Sequence, residues 1–74
     1  MDIFAQLAPI ITKHRATFMA KAGNIDDAVS DENLVRVEVE LHALLPFALR
    51  MAVKKEMLAS LLIQNRERLQ TLLA

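Results

Sequence analysis

Apolar side chains recur along residues 46–73 with a helical period. Wound at 3.6 residues per turn, Phe47, Met51, Leu58, Leu62, Leu69, Leu72 and Leu73 fall on one side, the stripe that faces a core. Leu49, Val53, Met57 and Leu61 follow at strict i, i+4 spacing on another flank. Two apolar stripes on one helix predict two packing partners, the rest of the chain and a second surface. Leu49, Val53, Met57 and Leu61 are the predicted partner or dimer interface, with the flexible thioethers of Met51 and Met57 suited to adaptable packing. The duller reading gives Leu49, Val53 and Met57 a short neighbouring helix of the same chain to cover. Asn65 lies within the first stripe, where an amide is out of place. It is expected to pair across a helix interface and fix register there, at some cost in stability.

Upstream, the same periodicity predicts a first helix over 2–22. Asp2 is placed to cap it, and Ile3, Leu7, Ile10, Ile11, His14 and Phe18 line one face. Pro9 interrupts this stretch, but on the side opposite the stripe, so a kinked helix keeps its core face. The competing reading starts the helix at Pro9. Gly23, Asn24, Asp26 and Asp27 mark an acidic loop over 23–30. Ser30, followed by Asp31 and Glu32, then signals a helix start. A second helix is predicted over 31–45, with Leu34, Val37, Leu41, Leu44, Leu45 and Ala48 on one face.

Residues 35–42 pull against that helix. They alternate apolar and polar as a half-buried strand does, and a strand before two helices would suggest a ribbon-helix-helix repressor. Helix is the stronger reading. Glu38 and Glu40 would meet phosphate, no Gly or Asn turn divides the following stretch into two helices, and a cap at Ser30 has no role before a strand. Pro46 is the second interruption. Its flanks hold none of the residues that favour a tight reversal. One helix from Asp31 to Leu73, bent at Pro46, is therefore slightly favoured over two. Such a helix is roughly 65 Å long at 1.5 Å rise per residue, more than one short helix can cover.

Composition sharpens this. A chain of 74 residues is expected to form a single domain of marginal core size, and it is 54% hydrophobic with no cysteine, tryptophan or tyrosine. Disulfides and thiolate zinc are excluded, which leaves a second subunit as the available staple. The missing cysteines fit a reducing, cytoplasmic setting, and Asp2 stands where a secretory leader carries basic residues. Arg50, Lys54 and Lys55 interrupt the apolar half, so no membrane span is expected. Net charge is zero, yet Asp26, Asp27, Asp31 and Glu32 cluster in one stretch and Arg50, Lys54, Lys55, Arg66 and Arg68 in another.

Candidate chemistry is thin. His14 on an apolar face reads as a structural histidine more readily than as a proton switch. Glu38 and His42 stand i, i+4 and are able to share a metal, but a di-iron bundle needs that pair twice with two further glutamates. Ser30 is a cap, and Ser60 has no histidine at readable spacing. One glycine in the chain leaves no phosphate-cradling loop. Neither an enzyme nor a metal or cofactor site is expected. The rival to an interaction domain is a small nucleic-acid-binding regulator using the basic residues of helices one and three, among them Lys13, Arg15 and Lys21. Against it, the cations form no single stripe and there is no aromatic platform.

The sequence therefore predicts an all-α fold, a small bundle of two to three helices completed by homodimerisation. Its predicted function is non-enzymatic protein–protein interaction, as an adaptor, an inhibitor or anti-activator, or a small chaperone of another protein.

Overall fold

Seven helices, rather than two or three, make up the fold in the computed structural model, which describes residues 2–74. They are α1 (Ile3–Lys13), α2 (Arg15–Met19), α3 (Ile25–Ala28), α4 (Asp31–Leu44), α5 (Phe47–Ala52), α6 (Lys55–Gln64) and α7 (Arg66–Leu73). The described residues contain no strand. The stretch 35–42 lies inside α4, whose cap is the one the sequence marks: the Ser30 hydroxyl accepts the Asn33 N–H at 3.2 Å. Asp2 likewise caps α1, accepting the Ala5 N–H at 3.2 Å. The acidic loop is itself part helix, because Asn24 caps α3 by accepting the Asp27 N–H at 2.8 Å.

The expected long helix is the main correction. The molecule measures 32 × 20 × 20 Å, so a rod twice its length does not exist in it. Pro46 ends α4, with Leu45 at φ −71°, ψ 144° and Pro46 itself extended. A second break falls at Val53 and Lys54, both extended, where no glycine or proline announces it. A third falls at Asn65, at φ −112°, ψ 30°. Each has a physical cause. Proline disfavours helical geometry in the residue before it. At Val53, the carbonyl is taken by the His42 ring instead of by the next helical turn. At Asn65, the side-chain Nδ2 donates to the Leu61 carbonyl at 2.9 Å, a local bond that competes with the helical ladder.

The first helix also divides, but not at the proline. α1 runs through Pro9, which lies on the exposed side, and the missing N–H leaves free only the carbonyl of exposed Ala5. The break comes at His14 (φ −109°, ψ 32°), after which α2 carries Phe18 into the core.

Breaking the chain lets it close its own core. Phe4, Leu7, Ile11 and Phe18 from the first segment meet Leu34, Val37 and Leu41 of α4 and Leu58, Leu62, Leu69 and Leu73 of α6 and α7. α4 packs chiefly along α6, α2 and α3 lie against α4, and α1 lies on α7. Among the described residues no helix is long and apolar enough to cross a membrane.

Candidate functional site

α5 is where the expected faces are inverted. Its six residues sit between the breaks at Pro46 and Val53, so its phase is free of both α4 and α6. It turns Leu49 inward at 9% exposure and, just past its end, Val53 at 6%. Phe47 and Met51, assigned by a continuous helix to the core, are instead 71% and 70% exposed. At 100° per residue, Phe47, Met51, Ala48 and Ala52 cover one continuous exposed arc of α5, and all four are apolar. Covering Phe47 alone would take roughly 100 Å² out of water, worth about 2.5 kcal/mol.

The arc runs into a notch. Ala52, Val53, Met57 and Leu61, with Ile3 of α1, line an almost purely apolar hollow of about 130 Å³. That is close to the ~150 Å³ that holds a benzene ring, so one bulky apolar side chain fits. Met57 is 59% exposed at its lip, while Val53 forms its floor and Leu61 a half-buried wall.

Two polar contacts hold this elbow in place, and both come from one face of α4. His42 Nε2 lies 2.8 Å from the Val53 carbonyl oxygen. A carbonyl only accepts, so Nε2 carries the proton. One turn earlier, Glu38 Oε2 accepts the Ala59 N–H of α6 at 2.8 Å. The i, i+4 pair that raised the question of a metal thus grips backbone on both sides of the break. Among the described residues, no three His, Asp or Glu side chains gather as metal ligands would.

The predicted interface residues are therefore distributed. Val53, Met57 and Leu61 line the notch, Met51 stands on the α5 arc, and Leu49 belongs to the core. Asn65 sits at the junction of α6 and α7, bonded to Leu61 of its own chain, with Arg68 Nη1 donating to its Oδ1 at 3.3 Å. Both bonds lie within the chain's own α6–α7 turn. Phe47, Ile3 and Ala52 were not legible as site residues, since the sequence marks Pro46 but not the break at Val53.

The remaining polar groups close the fold. Asn33 is buried; its Nδ2 donates to the carbonyls of Phe18 at 3.0 Å and Ala28 at 2.6 Å. Its Oδ1 accepts from Arg36 Nε and Nη2, and Arg36 also donates to the Thr17 carbonyl. Arg15 donates to the Leu73 carbonyl at 2.8 Å, and Arg66 to the Val29 carbonyl at 2.9 Å and to Asp31. Arg68 pairs with Asp2 at 2.9 Å and lies 4.6 Å above the Phe4 ring. The Arg68 hydrogen bond, reinforced by the Ala5 N–H, holds the Asp2 carboxyl below its ordinary value.

No known protein family, curated protein or solved structure matches this chain significantly.

Proposed function

We propose that this chain is a non-enzymatic protein–protein interaction module, acting as an adaptor, inhibitor or small chaperone through the α5 elbow. The observation that carries this is the wholly apolar exposed arc of α5 opening into the notch beneath Met57. Exposing Phe47 and Met51 while smaller residues are buried is unfavourable for a chain with no use for them. A contiguous apolar patch with a concave end is what a partner's side chain requires. The face differs from the stripe first expected: Leu49 supports it from inside, and Phe47 and Met51 present it.

The test is capture with a matched control. The immobilised chain and its Phe47→Asp, Met51→Asp variant are exposed to the same lysate, and bound proteins are identified by mass spectrometry. A protein retained by the first and lost from the second supports the reading. Identical sets of bound proteins would sink it.

Homodimerisation is a separate reading, favoured by Val35 and Val39, exposed at 57% and 55% one turn apart on the outer face of α4. One part of its support, a long helix in need of cover, is gone, while the 54% hydrophobic composition without a cysteine remains. Light scattering at micromolar concentration should give about twice the 8.3 kDa chain mass if that face pairs. Nucleic-acid binding comes third, because Arg15, Arg66 and Arg68 are already bonded within the chain. Duplex DNA is expected to bind only at non-specific strength at physiological salt.

A further inference from the structure

The apolar arc of α5 is bordered by cations that the chain leaves unneutralised. Arg50 is exposed on one edge of α5, and Lys54 and Lys55 are exposed at the turn into α6. None of the three has an ion pair or a side-chain hydrogen bond among the described residues. Arg15, Arg36, Arg66 and Arg68, by contrast, are each bonded to a carbonyl or carboxylate far away in sequence. Four of the nine acids of this neutral chain are gathered at the other end of α4. Asp26, Asp27, Asp31 and Glu32 lie in the first turns of α3 and α4, and α4, about 20 Å long, runs from there to Leu44 beside the elbow.

We propose that the elbow receives an acidic amphipathic helix of a partner protein. The partner's apolar side chains cover Phe47 and Met51, one of them fills the notch at Val53, Met57 and Leu61, and its carboxylates meet Arg50, Lys54 and Lys55. This rests on the interaction reading above and adds the chemistry of the partner. Charge complementarity selects this occupant. A second copy docked by a two-fold axis would bring the same three cations face to face, which is repulsive. An anionic membrane is usually held by four to eight clustered basic residues, and here there are three with Glu56 among them. Duplex DNA would set Phe47 and Met51 against phosphate with no polar return.

Three synthetic helical peptides test this against the full chain by fluorescence polarisation. They share leucine at i, i+3, i+4 and i+7, and carry glutamate, glutamine or lysine elsewhere. The glutamate peptide should bind about tenfold tighter than the glutamine one, with the advantage shrinking as salt rises. Lys54→Glu combined with Lys55→Glu should transfer the preference to the lysine peptide. Phe47→Asp should weaken the glutamate peptide by about thirtyfold. Circular dichroism checks that each variant is folded; Arg50→Glu and Met51→Asp serve if one is not. Equal binding of all three peptides overturns the acidic partner and leaves the interaction module standing. No binding of any peptide, with no NMR shift at α5, overturns both. Tighter binding to phosphatidylserine vesicles or duplex DNA, lost in the lysine double variant, also overturns the proposal, as does a mass that climbs with concentration through head-to-tail contacts.

Discussion

Around Asn33 the chain is closed by polar groups, and around Leu49 it is closed by apolar ones and left open on the outside. Asn33 gives both amide protons to carbonyls and accepts from Arg36, which reaches on to Thr17. No buried side-chain nitrogen or oxygen among the described residues lacks a partner. That node joins α2, α3 and α4 and uses both amide protons of Asn33 inside the chain. At the elbow, Leu49 and Val53 dip into the core while Phe47, Met51 and three cations face water. Arg36 and Arg50 carry the same guanidinium and are used in opposite ways. What distinguishes a candidate docking site here is which groups the fold has left unused, and residue type alone does not reveal that.

The comparison breaks most easily at Asn33. Asn33→Leu removes the donor for two carbonyls and an acceptor for Arg36 in a buried site, and should cost about 3 kcal/mol. Met51→Asn, at the exposed arc, should stay within about 0.5 kcal/mol. Urea denaturation of the two variants reads both numbers, and similar losses would erase the contrast.

Leu49→Ala tests whether the elbow hangs on a single side chain. About 2 kcal/mol should be lost, and amide exchange should speed up in α5 more than in α4. Uniform acceleration across the chain would mean that α5 is no less integrated than the core helices.

His42→Ala deletes the grip on the Val53 carbonyl, which is only partly shielded, and about 1 kcal/mol is expected. Combined with Glu38→Ala, the loss should fall short of the sum, since both hold the same joint. Strict additivity would show two independent contacts.

The smallest effect is at Asp2. Its folded carboxyl titrates below the ordinary value of 3.8, chiefly because of Arg68. The contribution is therefore complete above that value and lost as pH falls through the depressed one. Asp2→Asn should lower stability slightly at neutral pH and flatten the acid limb of a thermal-stability profile, so that the two proteins converge below about pH 4. A difference that persists undiminished in acid would point to the α1 cap rather than the charge.

The caps and the helix-forming periodicity were legible because they depend on residues three or four apart. Ser30 and Asp2 cap where the sequence says they should, and Leu34, Val37 and Leu41 form the face their spacing predicts. The strand-like alternation at 35–42 yielded to that cap. Pro46 was legible as a break but not as an end, because nothing nearby encodes the reversal. Val53 was not legible at all. Its carbonyl leaves the helical ladder for an imidazole eleven residues away, and no local pattern carries such a bond.

The sequence by itself determined an all-helical chain, its N-terminal caps, and an apolar excess beyond what one helix face can use. Those follow from backbone hydrogen bonding and side-chain spacing within a turn or two. Tertiary structure alone decided where the excess goes. Once α4 lies along α6, Glu38 and His42 fix the joint between α5 and α6, and the phase of α5 is set by that joint rather than by its own spacing. The joint puts Leu49 inside and Phe47 outside, against the larger apolar gain that burying Phe47 would bring.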